Sequence, residues 1–341
     1  MKQLKAFKYQ ITPNGAQIRS MRQYAGNARK VWNLALSKQQ EQYAAGEKYT
    51  NEFGMNQWLK DFKEQFSYLA ESPSQTLQQV NKNLHGAFKK FFKKDADYPK
   101  LKKKGKAGDS FRFPQGFEID ENNSRIKLPK LGWIKYRNSR EMTGKAKNIT
   151  LSCTGGQWYA SVQTEQEVDA PLHTGGMVGI DVGIVRFATL SNGEVFEPLH
   201  SFKQHQARLA KYQRQMAHKN KFSNNWKKAK AKVTQVHIDI GNTRKDYLHK
   251  VSHTISKNHA VVCVEDLQID NMSKSSKGNA EQPGRKVKQK SGLNRSILDQ
   301  GWGEFRRQLD YKLTWNGGHL VAVNPRNTSR TCPCCEHVSQ E

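Results

Sequence analysis

The spacing of apolar residues changes from a two-residue to a helical period early in the chain. Residues 4–12 alternate apolar and polar side chains, which predicts a β-strand. Pro13-Asn14-Gly15 predicts a turn, and the apolar positions from 16 to 46 then recur every three or four residues, as on one helix face. The same helical spacing predicts two further helices, at 54–70 and 74–94.

Short alternating runs return after these helices. Between 111 and 168 the apolar runs are brief and are divided by Gly, Asn and Pro, a pattern typical of strands joined by turns. Together with the first strand, they predict a small β-barrel built from 1–13 and 96–170. The helical segment at 14–95 is then an insert between two parts of that barrel.

The rest of the chain alternates strands and helices, which indicates an α/β domain. A linker at 171–176 precedes a strand pair at 177–190, turned at Ser191-Asn192-Gly193, and a tail occupies 327–341. Between linker and tail the pattern predicts an α/β domain over 177–326. Its further predicted elements are a long basic helical stretch at 201–258, a buried strand at 260–265, a flexible polar loop at 272–295, a helix at 296–315 and a strand at 320–324.

The charge balance predicts a polyanionic partner. The chain has 57 Lys and Arg against 30 Asp and Glu, a formal net charge of +27, which would repel itself in the folded protein. Basic and aromatic residues are interspersed, and no run of about eighteen apolar residues occurs, so nucleic acid is favoured over a membrane. The amino terminus lacks a secretory signal, which predicts a cytoplasmic, nucleoid-associated protein. The alternative is a basic surface that only keeps the chain soluble.

Basic residues concentrate in two segments. The first is the loop that follows the helical insert, and the second, 198–238, contains no Asp or Glu. A solvated helix face would explain the second segment, but we interpret both as phosphate-binding surfaces, with Phe222 and Trp226 available for base stacking. The residues expected to contact nucleic acid are Lys93, Lys94, Lys102, Lys103, Lys104, Lys211, Arg214, Lys219, Lys221, Lys227, Lys228, Arg306 and Arg307.

Two carboxylates end apolar runs of the α/β segment. Asp181 lies in Met177-Val178-Gly179-Ile180-Asp181, and Glu265 closes Ala260-Val261-Val262-Cys263-Val264-Glu265. An Asp buried among Val and Ile is costly unless it is paired or binds a metal ion. Two acids on adjacent strands are also how a ribonuclease H-like nuclease begins a two-Mg²⁺ site. The alternative is that each acid is an ordinary turn or cap residue.

The last cysteines resemble half of a zinc ribbon. Cys332 and Cys335 have the spacing of one zinc knuckle, but a structural zinc site needs four ligands in a tetrahedron. Cys334 lies between them, and His337 follows Cys335 too closely for an easy tetrahedron. We therefore expect an incomplete knuckle that does not bind Zn²⁺.

Several motifs, in order along nearly the whole chain, carry a specific resemblance. They are Lys127-Leu128-Pro129-Lys130-Leu131-Gly132, Gly179-Ile180-Asp181-Val182-Gly183, Val264-Glu265-Asp266-Leu267, Gly301-Trp302-Gly303-Glu304-Phe305-Arg306-Arg307-Gln308-Leu309 and Thr328-Ser329-Arg330-Thr331-Cys332-Pro333-Cys334-Cys335. With them the sequence resembles the transposon-encoded TnpB (OrfB) family of RNA-guided nucleases, related to type V CRISPR effectors. The resemblance implies a wedge-type β-barrel split by a helical recognition lobe, followed by a RuvC (RNase H-like) domain with an inserted zinc ribbon.

The same resemblance implies partners and a catalytic site. The partners would be a guide RNA and a duplex DNA target flanked by a short adjacent motif. Asp181 and Glu265 match the first two RuvC carboxylates, whereas the third, an Asp beyond the ribbon, has no counterpart before Glu341. Asp299 and Asp310 are poor substitutes, because the family has acids near both positions in addition to its third ligand.

These expectations lead to one function and two rivals. We expect an RNA-guided DNA-binding protein that binds Mg²⁺ weakly, does not cut, and represses transcription by occupying its target, as the nuclease-dead members of the family do. The first rival is an RNA-guided endonuclease of a transposon, seen in shortened form. The second is a DNA-binding transposition accessory that works without a guide.

Overall fold

The computed structural model describes residues 1–105, 108–169, 171–279, 281–326, 334–335 and 337–338. The chain divides into two compact units, Met1–Val168 and Asp169–Glu341. Cys332 and most of the predicted tail lie outside the described residues.

An antiparallel sheet of seven strands forms the frame of the first unit. Its neighbour order is β2-β6-β7-β1-β5-β4-β3, so β1 lies at the centre and pairs with β7 from Lys2 opposite Glu167 to Ile11 opposite Trp158. The described pairings give an open order with β2 and β3 at the edges, and the closed, wedge-type barrel stays a prediction. The strands are β1 Lys2–Thr12, β2 Ser110–Phe113, β3 Glu118–Asp120, β4 Arg125–Leu128, β5 Gly132–Tyr136, β6 Lys145–Thr154 and β7 Gln157–Glu167.

Helices occupy the predicted insert between β1 and β2. They are α1 Gly15–Ala44, α2 Glu52–Gln65 and α3 Ser74–Phe92, with a short 3-10 helix at Ser67–Glu71. α1 begins with a capping box, in which Asn14 accepts from the Gln17 backbone N–H and the Gln17 side chain accepts from Asn14 N. The three helices lie where the helical periodicity predicted them. Their apolar residues share one core with those of the sheet.

A five-stranded sheet forms the centre of the second unit. Its order is β10-β9-β8-β11-β12, and β11 pairs in parallel with β8 on one side and with β12 on the other. The predicted turn at 191–193 joins β9 to β10, whereas β8 and β9 are joined by residues 183–187. The strands are β8 Gly176–Val182, β9 Ala188–Leu190, β10 Val195–Phe196, β11 His259–Glu265 and β12 His319–Val323.

The helices of this unit correct two predictions. The basic helical stretch is present as two helices, but a helix also starts at Val287, inside the segment predicted to be a flexible loop. The predicted helix at 296–315 is broken at Gly301, whose φ of 73° interrupts helical hydrogen bonding. The helices are α4 Ser201–Ala217, α5 Asn224–Asn258, α6 Ile269–Met272, α7 Val287–Gln300 and α8 Trp302–Asn316.

One face of this sheet is packed by helices. Val178, Ile180, Val262 and Val264 belong to a buried core with residues of α5 and α8. Their neighbours in sequence point to the opposite face because side chains alternate along a strand. No helix in the described part of the chain is long and apolar enough to cross a bilayer.

Candidate carboxylate groove and nucleic-acid interface

The strand register brings Asp181 and Glu265 together. In the β8–β11 pair, Gly179 is opposite Cys263 and Ile180 is opposite Val264, and the two acids are the next residues on their strands. Neighbouring strands lie about 4.8 Å apart, so the two carboxylates start from adjacent points on the same face. Both line one open groove of about 390 Å³. The predicted pairing of the two acids on adjacent strands is therefore present.

A tight turn follows the first acid. Gly183 N donates to Phe187 O at 3.3 Å, and a side-chain Cβ at Gly183 would lie 2.9 Å from Arg186 O. The absence of a side chain at Gly183 therefore allows the chain to reverse directly after Asp181. The end of β8 is fixed in this way at the mouth of the groove.

The predicted burial of Asp181 was wrong. The residue is exposed, and Glu265 is half-buried. The described lining of their groove comes from strands β8, β9, β11 and β12 and from Ser191, without a helix residue. Met177, on the same face of β8, is 71% exposed. The apolar neighbours that suggested burial, Val178 and Ile180, point into the core on the other face. The cost of burying an unpaired carboxylate is therefore not a reason to expect a metal ion at Asp181.

The chemistry of the groove fits a hard divalent cation in part. Carboxylate oxygens are the ligands that Mg²⁺ prefers, and it takes one or two of them while keeping several waters. Within the described residues, no group of three or more His, Cys, Asp or Glu is placed to hold a metal ion. Asp181 and Glu265 would hold Mg²⁺, which would supply charge neutralisation for a phosphate in the groove.

Two further acids of this unit, Asp266 and Asp299, have structural partners. Asp266, directly after Glu265, pairs with Arg306 of α8. Asp299 accepts hydrogen bonds from Ser201 Oγ at 2.7 Å and from Phe202 N at 2.9 Å, so it caps the start of α4. Asp310 is exposed on α8. Asp266 and Asp299 therefore have contacts that account for their positions without a metal ion.

The six basic residues predicted to bind nucleic acid on α4, α5 and the turn between them are exposed. None of the six predicted there forms an ion pair with a described acid, and Arg208, which was not among them, pairs with Asp239. Their charges are therefore available to an external polyanion. The six are Lys211, Arg214, Lys219, Lys221, Lys227 and Lys228.

The predicted basic loop is attached to α1. Asn33 Nδ2 donates to Lys102 O at 3.0 Å, and Lys102 N donates to Asn33 Oδ1 at 2.8 Å. The Lys102 ammonium lies 3.7 Å from the centre of a Trp32 ring, and burial lowers the pKa of this lysine. The other predicted lysines, Lys93, Lys94, Lys103 and Lys104, are exposed. Lys102 is thus partly engaged inside the protein, unlike its neighbours.

The two predicted arginines of α8 also have internal partners. Arg306 pairs with Asp266, and Arg307 donates to both oxygens of Glu304, at 2.6 and 2.9 Å. The hydrogen bonds from Arg307 lower the pKa of Glu304 to about 2. The Arg306 pair joins α8 to the residue after β11, whereas the Arg307 pair lies within α8. Contact of both arginines with nucleic acid stays a prediction. Of the predicted knuckle, Cys335 is exposed, and Cys332 lies outside the described residues.

Sequence analysis missed a polar cavity of about 330 Å³ in the first unit. Arg29, Lys102 and Arg112 line it, and Arg29 pairs with Asp109 at 2.9 Å. The hydroxyl of Thr76 also lies at this cavity, buried and without a hydrogen-bond partner among the described residues. Arg29 lies four residues after Ala25 and three before Trp32, a spacing that places it beside the apolar face of α1 and could have indicated an inward cation.

Comparison with known protein families gives three matches. Residues 161–276 match a family described as a probable transposase (OrfB of IS605), and residues 302–341 match a Cas12f1-like TNB domain. Residues 1–48 match a helix-turn-helix domain, although in this structure they form strand β1 followed by the single helix α1.

Curated relatives match over the full chain. The "Putative RNA-guided DNA endonuclease InsQ" of Escherichia coli (strain K12) is 53% identical over 344 residues, which cover 100% of this chain and 85% of the relative. A "Putative RNA-guided DNA endonuclease" of Streptomyces pristinaespiralis is 32% identical over 347 residues, covering 99% of this chain and 82% of the relative.

Among solved structures, the "Cryo-EM structure of the Cas12f1-sgRNA-target DNA complex" contains a chain of similar fold. The TM-score is 0.57 at 14% identity, and the match covers 99% of this chain and 92% of that one. At this identity the likeness concerns the fold alone. The sequence identity to curated relatives is what settles membership: the chain belongs to the TnpB (OrfB) family of transposon-encoded proteins.

Proposed function

We propose that this protein binds duplex DNA sequence-specifically under the direction of a guide RNA and does not cut it. Guide pairing would select the target, and the protein would recognise the heteroduplex by shape and the duplex by a short adjacent motif. Stable occupation of a promoter would block transcription in the nucleoid. The observation that carries the guided binding is the 53% identity to a relative named as a putative RNA-guided DNA endonuclease.

The charge distribution supports a nucleic-acid partner. Exposed lysines and arginines of α4 and α5 occupy a segment, 198–238, that contains no acid. Each phosphate contact releases counterions, so affinity should fall steeply as salt concentration rises. Because these side chains would contact phosphates rather than base edges, they would contribute affinity and leave sequence selection to the guide.

The carboxylates support binding without cleavage. Two-metal hydrolysis places two cations about 4 Å apart on either side of the phosphate, and it needs enough carboxylates to hold both. In the described part of the chain, Asp181 and Glu265 are the two acids that line the groove. Asp266, directly after Glu265, pairs with Arg306, and Asp299 caps the start of α4. Two carboxylates would hold one cation weakly.

The competing proposal is an RNA-guided endonuclease. It is favoured by the register that aligns Asp181 with Glu265 and by the names of the curated relatives. A third ligand from residues outside the described ranges would complete such a site. The two proposals share every partner and differ only in whether the bound strand is hydrolysed.

One experiment separates them. The protein is co-expressed with its transposon-end RNA, purified with that RNA, and incubated with end-labelled matched duplex in Mg²⁺. We expect guide-dependent retention of the duplex and no new strand ends, whether the protein is wild type or Asp181→Asn. Guide-dependent cleavage that Asp181→Asn abolishes would refute the non-cleaving function and establish the endonuclease.

Two controls complete the test. At a salt concentration that suppresses the sequence-independent binding of the exposed lysines, a duplex with a scrambled target should not be retained, because it cannot pair with the guide. Retention of matched and scrambled duplexes to the same extent, by protein that contains no RNA, would support guide-independent DNA binding instead. For binding without cleavage, we expect the same retention of the matched duplex, and no new strand ends, in EDTA as in Mg²⁺.

A further inference from the structure

The helices α4 and α5 form a hairpin with its own small core. Leu209 of α4 packs with Val233, Val236 and Ile240 of α5, and all four are buried. Residues 218–223 connect the two helices. The core holds the hairpin together, so the side chains of the connecting turn need not contribute to its packing.

An aromatic pair lies at this turn. Phe222 is 66% exposed, and its ring meets the ring of Trp226 edge-on, with 5.5 Å between ring centres. Trp226 is in the first turn of α5, where its backbone N–H donates to the capping hydroxyl of Ser223 at 3.1 Å. The cap fixes the start of the helix and with it the position of the indole. Because the contact between the two rings is edge-on, much of the Phe222 ring surface remains exposed to solvent.

The backbone at Phe222 is in an unusual conformation. Its φ is 69°, in the left-handed region that favours glycine, and bulky side chains rarely adopt it. A glycine there would avoid the strain. Because the Phe222 ring is largely exposed, its burial contributes little free energy to offset that strain. A strained residue that the fold itself does not need is a reason to look for an external contact.

Cations surround the two rings. Lys221 Nζ lies 5.3 Å from the centre of the Phe222 ring, and Lys230 Nζ lies 5.1 Å from the centre of the Trp226 ring. No acid occurs within 198–238 to neutralise them. Aromatic faces among unneutralised cations are the arrangement that binds single-stranded nucleic acid, since bases stack on the rings while phosphates meet the charges.

We propose that Phe222 and Trp226 form a stacking platform for an unpaired nucleotide of bound RNA, with Lys219, Lys221 and Lys227 contacting the flanking phosphates. Bases in a duplex are already stacked and cannot be offered to an aromatic side chain, whereas RNA loops and ends present free bases. Duplex DNA offers unpaired bases only after its strands separate. In the free protein Phe222 is exposed and Trp226 is half-buried, so a base can reach the phenyl ring before any target strands separate, which favours the RNA. The inference rests on the proposed function.

The platform can be tested without a guide or target. The full-length protein is titrated into a fluorescent oligouridylate, and binding is followed by anisotropy at several salt concentrations. Phe222→Leu keeps an apolar side chain and removes the aromatic face, so we expect an affinity loss of about tenfold, the effect of one stacked base. The loss should be the same at every salt concentration, because stacking releases no counterions.

Two further variants separate stacking from stability. Phe53→Leu, at another exposed Phe (78%) beside Glu52 in α2, is the matched control and should bind as the wild type does. Phe222→Gly should lose affinity as Phe222→Leu does while its melting temperature stays equal or rises, since glycine accepts the positive φ. If Phe222 served only to hold the turn, Phe222→Gly would melt earlier and Phe222→Leu would bind normally.

The source of the nucleotide is tested by ultraviolet crosslinking of the co-purified RNA complex, read out by mass spectrometry. We expect Phe222 or Trp226 to crosslink to RNA before any DNA is added. Crosslinks that form only after target DNA is added would overturn the assignment to RNA. Wild-type protein that binds no RNA would contradict the proposed function itself, whereas RNA binding that Phe222→Leu leaves intact contradicts the platform alone.

Discussion

Asp299 connects α7 to the start of α4, and its replacement tests whether this acid is structural. The carboxylate is only 8% exposed and accepts from Ser201 Oγ at 2.7 Å and from Phe202 N at 2.9 Å. Arg244 lies 3.6 Å away on α5. The residue before α4, His200, provides no side-chain cap, so Asp299 caps this helix from another element.

The expected cost follows from these contacts. Asp299→Ala removes a helix cap, worth about 1 kcal/mol, and leaves a buried hydroxyl and a backbone N–H unsatisfied, which costs about 2 kcal/mol more. Asp299→Asn keeps one oxygen acceptor in place and should cost about 1 kcal/mol. Asp310→Ala, at an exposed acid of α8, is the control and should change stability by less than about 0.5 kcal/mol.

Hydrogen exchange measured by mass spectrometry reads this contact locally. Peptides from the first turns of α4 should exchange faster in Asp299→Ala, less so in Asp299→Asn, and at the wild-type rate in Asp310→Ala. A local readout is preferable to one global melting temperature because the chain has two compact units. If Asp299→Asn left α4 protected yet abolished an effect of Mg²⁺ on the protein, Asp299 would be a metal ligand and the structural explanation would be wrong.

Three further outcomes are expected. Asp181→Asn combined with Glu265→Gln should leave guided duplex retention unchanged in a gel-shift assay; a large loss would show that the groove is needed for binding. The pKa of Glu304 is lowered from 4.5 to about 2, so its carboxylate contributes stability above pH 4.5 that is lost as the pH falls towards 2. Glu304→Gln should therefore make the free energy of unfolding depend less on pH in that window; an unchanged pH dependence would contradict this. Asn33→Ala removes both bonds to the Lys102 backbone and should speed limited trypsin cleavage of the basic loop; cleavage at the wild-type rate would show that the attachment is not needed.

Periodicity located most elements but missed two helix breaks. From 201 to 258 the helical spacing continues through the connecting turn, and no Gly or Pro marks the break. The residue in the left-handed conformation there is Phe222, which sequence rules do not assign to that role. Gly301, by contrast, carried the usual signal for a helix end. The start of α7 was missed because its polar, basic sequence resembles a flexible loop.

The candidate site was predictable in position but not in environment. Strand ends placed Asp181 and Glu265 on neighbouring strands, and the parallel register aligns them. Their exposure depends on what covers the other face of the sheet, which no pattern along β8 could show. The partner of Arg306 was equally hidden, because Asp266 is 40 positions away, whereas Glu304 is only one helical turn from Arg307.

The hairpin surface argues against the simplest alternative, a basic surface that only keeps the chain soluble. Solubility is served equally well by mixed charges, which also avoid self-repulsion. Here the acids stop at Glu197 and resume at Asp239, and Asp239 already pairs with Arg208 at the base of the hairpin. Like charges crowded on two packed helices destabilise the free protein, and a polyanion lying along them removes that cost. If a guide carries the sequence information, as the proposed function holds, such a surface needs only to bind phosphates and unpaired bases.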